Sequence, residues 1–201
     1  MCDAFPDDDG DVGPAATPQD PRLRAVAEAC DWVMRFPCRS APGLIFVGAR
    51  SEPATVWDDP ALAGSGGGHA GGGETPEAAF AACMGEAAEF LSQFEQPGDL
   101  LPEDDPTPDA EALAGWAPPD AARVRATRRP ENAPCALPAA RVLRRPGAAP
   151  PFRLSTGCAA GETPEAARLS ALLEGVERDA AAMWWRGGRP ARALDLTDPE
   201  L

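Results

Sequence analysis

Apolar positions along the chain change period several times, and the changes divide it into elements. Residues 20–36 (DPRLRAVAEACDWVMRF) place Leu23, Val26, Ala27, Cys30 and Val33 on one side of a helix. GLIFVGAR (43–50) and ATVWD (54–58) are short runs rich in β-branched and aromatic residues, and they read as strands. GSGGGHAGGG (64–73) has no apolar pattern and reads as a flexible loop. A helix follows over 76–94, then a Pro- and Asp-rich stretch over 95–120 that reads as an acidic surface insertion or linker. A short helix is expected over 119–128, strands within ALPAARVLRR (136–145) and FRLST (152–156), and a long helix over 164–186. Residues 1–19, rich in Asp, Pro and Gly, read as a disordered acidic N-terminus, leaving 20–201 as the folded part. Helices alternating with strands predict an α+β or α/β domain.

One segment occurs twice. GETPEAA stands at 73–79 and again at 161–167, and the likeness continues at the same offset: GETPEAAFAACMGEAAEF lies over GETPEAARLSALLEGVERD. Both copies open a helix by the same chemistry. Thr75 and Thr163 are N-caps whose hydroxyls accept an otherwise unpaired backbone N–H, and Pro76 and Pro164 suit the first helical position. The acidic positions that persist are Glu86 over Glu174 and Glu89 over Glu177. Residues three apart share a helix face, so each E-x-x-E presents two carboxylates together.

The neighbours on that face are small. At about 100° per residue, Glu174 and Glu177 lie beside Ala167, Ser170, Ala171, Arg178 and Ala181, and Glu86 and Glu89 beside Ala79, Ala82, Cys83, Phe90 and Gln93. An ordinary solvated face carries long polar side chains; a row of small ones is what close packing requires. The opposite arc of the second helix, with Leu169, Leu172, Leu173, Val176, Met183 and Trp184, is the expected core side.

Composition narrows the function. The net charge is −14, no Lys is present, and all 18 basic residues are Arg, which fits the codon bias of a GC-rich genome. No basic stripe exists to neutralise phosphates along a nucleic acid, and RVRATRRP (123–130) is only a local Arg cluster. No apolar run is long enough to span a bilayer, and the acidic N-terminus is unlike a secretory signal, so a cytoplasmic protein is expected. The six cysteines (Cys2, Cys30, Cys38, Cys83, Cys135, Cys158) contain no C-x-x-C, and His69 is the one histidine. Zinc ligation is therefore disfavoured, and the thiols read mainly as small buried hydrophobes.

Four carboxylates brought together by two facing helices would repel one another and need cations. Oxygen clusters of this kind suit Mg2+, and Mg2+ held by carboxylates points to a bound polyphosphate. The Lys-containing phosphate loop G-x-x-x-x-G-K-[ST] is ruled out by the lack of Lys.

STGCAAGETPEAARLSALLEGVERDAAAMWW (155–185) resembles the YcaO family, whose members carry T-N-G-x-A-A-G followed by E-x-x-E-R. GGGETPEAAFAACMGEAAEF resembles the family's earlier G-K-G and S-x-x-E-x-x-E-R element, in the right order. The resemblance covers roughly residues 64–186 and looks like the N-terminal portion of a YcaO domain, incomplete at its C-terminus. It implies a YcaO-like ATP-binding fold and an enzyme that uses ATP and Mg2+ to phosphorylate a peptide-backbone amide oxygen. A Cys, Ser or Thr side chain then closes an azoline ring, or an external sulfur source gives a thioamide. It further implies Glu86, Glu89, Glu174 and Glu177 as Mg2+ ligands, Arg178 as a phosphate contact, and Ala159, Ala160 and Gly161 as backbone close to the nucleotide. The implied partners are a ribosomally made precursor peptide and a leader-peptide-binding protein.

The chain departs from the pattern at Gly72 (family Lys), Cys83 (Ser), Phe90 (Arg) and Thr156 (Asn). Two function classes stay open: the enzyme, or a non-catalytic YcaO-like protein (or truncated remnant) that binds a peptide or docks a partner.

Overall fold

The computed structural model describes residues 20–37, 41, 43–110, 122–144 and 155–188. They fall into two units, Met1–Leu154 and Ser155–Leu201, each treated on its own below. Among the described residues no helix is long and apolar enough to cross a membrane. The expected disordered N-terminus, residues 1–19, lies outside them.

The first unit is built on a three-stranded antiparallel sheet in the order β1-β2-β3. Its strands are β1 (Trp32–Pro37), β2 (Ile45–Ser51) and β3 (Gly67–Gly73). Helices α1 (Pro21–Glu28) and α3 (Pro76–Ser92) cover one face. The core joins Val47 and Ala49 of β2 to Ala79, Phe80, Cys83 and Met84 of α3, with Leu23, Val26, Ala27, Cys30, Val33 and Ile45 packed around them. The buried Phe80 and Met84 side chains each contribute roughly 2 kcal/mol through removal from water.

The expected helix over 20–36 stops early. Asp20 caps α1 by accepting the Arg22 N–H at 2.8 Å, but the chain turns at Ala29–Asp31 and continues as β1. WVMRF is a strand-forming run, and the Asp31 N–H donates to the Arg50 carbonyl at 2.7 Å at the start of the pairing with β2. Val33 points inward in either geometry, so the five residues placed on one side do pack together against the core, although the element differs.

The expected strand 54–58 is instead the one-turn helix α2 (Pro53–Val56), whose Thr55 and Val56 N–H groups both donate to the Glu52 carbonyl. Pro53 at its first position has a φ already suited to a helix.

The largest correction concerns GSGGGHAGGG. It is no loop: residues 67–73 form β3, paired along its length with β2. Alternate residues Gly67, His69, Gly71 and Gly73 face α3; Gly67 and His69 meet the Phe90 ring, and the helix backbone rests almost directly on Gly71 and Gly73. A Cβ at Gly71 would lie 2.2 Å from the Cys83 nitrogen and 2.5 Å from the Ala79 carbonyl oxygen, and one at Gly73 2.7 Å from the Ala79 nitrogen. Here glycine serves close approach, not freedom. On the opposite face the Phe36 ring lies over Gly48, leaving no room for a Cβ there.

The second sheet of this unit is the hairpin β4 (Arg123–Arg128) and β5 (Ala133–Pro138). The helix expected over 119–128 is thus a strand where described, because alternating Val124 and Ala126 face inward while their neighbours are more exposed. The strand expected over 136–145 ends at Pro138 and gives way to α4 (Ala139–Val142). Of the 95–120 stretch, residues 111–120 lie outside the described set, and 95–110 is tied to the hairpin. The Leu101 N–H donates to Arg123, the Ala136 N–H to Pro108, and the Arg123 guanidinium to the carbonyls of Asp105 and Thr107.

The second unit holds the segment 155–161 and helix α5 (Pro164–Gly187), which ends on Gly188 in the left-handed region at φ 61°. Of FRLST, residues 152–154 fall outside the described set, and Ser155 and Thr156 are not in a strand.

Two outcomes follow for the sheet. Gly71→Ala drives a Cβ into α3 backbone and costs about 3 kcal/mol, whereas Gly68→Ala meets nothing within 4 Å and stays within about 0.5 kcal/mol in urea denaturation. His69 is buried, its Nε2 2.8 Å from Ser51 Oγ, and burial holds its pKa below the ordinary 6.5. The unfolded chain therefore takes up a proton that the folded one resists, so stability falls as the pH drops through and just below 6.5. The same pH series on His69→Gln shows no such fall in that window.

Candidate functional site

Each copy of GETPEAA does the same structural work. Thr75 Oγ1 accepts the Ala78 N–H at 3.1 Å and Thr163 Oγ1 accepts the Ala166 N–H at 3.2 Å, with a proline in the first turn of both helices. The glycine that opens each copy then lies against the helix it precedes. A Cβ at Gly73 would sit 2.7 Å from the Ala79 nitrogen, and one at Gly161 2.5 Å from the Ala167 nitrogen. These are the same contact, repeated at the offset seen in the sequence. It accounts for the small residues beside the glutamates, since Ala79 and Cys83 in α3 and Ala167 and Ala171 in α5 lie on the side that the preceding backbone covers.

In the second unit that backbone also holds a site residue. Glu174 Oε2 accepts the N–H of Gly157 at 2.8 Å, and Glu174 Oε1 pairs with Arg178 at 2.6 Å, one helical turn on. Gly157 stands at φ 88°, a conformation that side-chain-bearing residues avoid, and this aims its N–H at the helix. Ala159 and Ala160 are half-buried, Gly161 is exposed, and Glu177 is exposed on the same helix. Five of the predicted site residues (Glu174, Arg178 and the Ala159–Gly161 segment) are thus brought to one helix face and the backbone laid along it. Arg178 is engaged with a carboxylate rather than held apart from it.

In the first unit, Glu86 is exposed and Glu89 half-buried on α3. Burial, with smaller contributions from Cys30 and Glu86, pushes the Cys83 thiol up to about 11, so it is neither a nucleophile nor a thiolate ligand near neutrality. No disulfide joins the described cysteines; Cys135 is also buried, Cys30 and Cys158 are half-buried, and Cys2 and Cys38 lie outside the described residues.

Two features had no signal in the spacing. One is the buried His69–Ser51 pair, which links β3 to β2. The other is Arg144, whose guanidinium reaches Gln93 across 51 residues of sequence.

A further expectation is overturned. Leu169, Leu172, Leu173, Val176, Met183 and Trp184 were read as the core side of α5, yet all are exposed, Leu172 at 69% and Val176 at 67%. The side of α5 that the chain covers is the small-residue one, because the approach of Gly161 to Ala167 excludes anything larger.

Each helix presents two carboxylates, and among the described residues no group of three or more His, Cys, Asp or Glu gathers at metal-ligand spacing. The donors are hard oxygens with no thiolate beside them, a set that fits Mg2+ rather than a soft metal.

Two helices capped alike, each with a carboxylate pair and a close glycine backbone, describe an α+β domain with an internally repeated acidic helix. The family described as YcaO cyclodehydratase, ATP- and Mg2+-binding, matches residues 70–201. The chain belongs to the YcaO family. Its fold is similar to that of YcaO from Methanopyrus kandleri bound with AMPPCP and Mg2+, with a TM-score of 0.65 and 18% identity. The match covers 83% of this chain and 43% of that one, so the chain spans less than half the length of the structure it resembles. No curated protein matches it.

Removing the Glu174 carboxylate leaves the Gly157 N–H without its acceptor. Glu174→Ala costs the loop about 1 kcal/mol, a hydrogen bond to a half-buried carboxylate being worth less than a fully buried one. Amide exchange at Gly157 accordingly speeds up roughly fivefold by NMR.

Proposed function

We propose that this chain carries a Mg2+–nucleotide site of an ATP-dependent enzyme that activates peptide-backbone amides in ribosomal peptide natural-product biosynthesis. The observation that supports this most is the repeated capped helix with its carboxylate pair and glycine backbone, found in a chain of a family described as ATP- and Mg2+-binding. In this reading Glu86, Glu89, Glu174 and Glu177 hold Mg2+, which supplies charge neutralisation for the polyphosphate. Arg178 contacts phosphate, and the Ala159–Gly161 backbone lies close to the nucleotide.

The chain's own geometry sets how Arg178 acts. It rests on Glu174 at 2.6 Å, so an incoming phosphate competes with that carboxylate for the guanidinium. With Arg178 engaged by phosphate, Glu174 Oε1 would be open to a cation, while Oε2 would still be oriented by the Gly157 N–H. The N–H of Gly157 fixes where that carboxylate stands before any ligand arrives.

The reaction is transfer of the γ-phosphoryl group to the amide oxygen with ADP leaving. A Cys, Ser or Thr side chain of the precursor peptide attacks the activated carbon, and phosphate departs with the former amide oxygen to give an azoline. With an external sulfur donor the product is a thioamide. A leader-peptide-binding protein delivers the peptide, in the cytoplasm.

The exposed apolar face of α5 favours a second reading, a non-catalytic YcaO-like protein that docks a partner or a peptide. Calorimetric titration with ATP in Mg2+ separates the two. Glu174→Gln and Glu177→Gln are each expected to weaken ATP binding at least tenfold, with no loss in thermal stability that accounts for it. ATP affinity unchanged by both substitutions rules out the metal site, and no binding by the unaltered chain favours the docking protein.

A further inference from the structure

The two repeats differ at one position that bears directly on phosphate. At the common offset, Arg178 of α5 corresponds to Phe90 of α3, and Ala181 corresponds to Gln93. At about 100° per residue, Glu89, Gln93, Glu86 and Phe90 share one arc of α3, as Glu177, Ala181, Glu174 and Arg178 share the matching arc of α5. By sequence, the first repeat has lost the cation beside its carboxylates.

The fold supplies one from elsewhere. Arg144, just after α4, places its guanidinium carbon 5.1 Å from the centroid of the Phe90 ring and 5.9 Å from that of Phe94. Its Nε donates to Gln93 Oε1 at 2.8 Å. Its backbone is fixed on the same helix end: the Arg144 N–H donates to the Gln93 carbonyl at 2.6 Å, and the Glu95 N–H donates to the Arg144 carbonyl at 3.0 Å. Phe90 is in turn backed by the His69 ring, 5.1 Å between centroids. The two residues that replace Arg178 and Ala181 thus both seat the Arg144 side chain, one by its ring face and one by its amide oxygen. Arg144 is half-buried, so the seat does not close it off from solvent.

We propose that Arg144 is the phosphate-contacting cation of the first repeat, the counterpart of Arg178 in the second. A planar guanidinium held against an aromatic face keeps its charge and a fixed direction, which suits it to phosphate better than a loosely placed cation. The assignment rests on the Mg2+–nucleotide reading above and adds to it a residue that lies outside both E-x-x-E segments.

The test compares ATP with adenosine on the full chain in Mg2+. Arg144→Gln is expected to weaken ATP binding about tenfold while leaving adenosine binding within about twofold, since only ATP carries the phosphates. Arg144→Gln combined with Phe90→Arg returns a cation to the α3 arc and is expected to recover ATP affinity to within about threefold of the unaltered chain. A purely structural Arg144 gives the opposite pattern, with adenosine and ATP weakened alike and no recovery on adding Phe90→Arg, and that result overturns the proposal. So does an ATP affinity that Arg144→Gln leaves unchanged while Glu174→Gln lowers it, which discards Arg144 and keeps the nucleotide site. Failure of the unaltered chain to bind ATP at all removes the nucleotide reading, and the role of Arg144 goes with it.

Discussion

The contact on which both units depend is a backbone laid on a helix with nothing between them. Gly71 and Gly73 touch Ala79 and Cys83 in the first unit, and Gly161 touches Ala167 in the second, at distances a single methyl group would violate. Such contact needs glycine on one side and small residues on the other, and dense packing leaves little room to relax. It fixes the rotation of each helix about its axis. The carboxylates of Glu86 and Glu174, two to three turns further on, are therefore aimed by glycines that carry no chemistry of their own.

That constraint also explains what was legible in the chain and what was not. The long helices could be read because their starts are spelled out locally: Thr, Pro and an acidic first turn, followed by many residues of regular pattern. The repeat could be read because it is an identity in the sequence. The glycine strand could not, since β3 has almost no side chains and so no period; its conformation comes from pairing with β2 and from α3 above it. The boundary at Cys30 was hidden for a different reason. Val33 lies inward whether 32–37 is helix or strand, so the apolar pattern does not discriminate between them.

The apolar arc of α5 marks where periodicity stops being informative. Leu169, Leu172, Leu173 and Val176 form a stripe that any reading assigns to a core, and a stripe states only that a partner surface is favourable. Among the described residues the covered side of α5 is the one with Ala167 and Ala171. The small residues were chosen by the glycine contact, and the large ones are exposed.

The site shows a similar division between local and distant information. In the second repeat the carboxylates, the arginine and the glycine that orients Glu174 all lie within 22 residues, from Gly157 to Arg178, and the motif can be seen whole. In the first repeat the carboxylates sit on α3, while the cation seated on Phe90 and Gln93 of that arc arrives from 51 residues beyond Gln93. A carboxylate pair in a chain of net charge −14 needs a local positive group to limit repulsion. Evolution can meet that need at the adjacent position or by folding a distant residue over it. Sequence comparison sees the first solution and scores the second as a loss, so Phe90 reads as a defect until the side chain resting on it is seen.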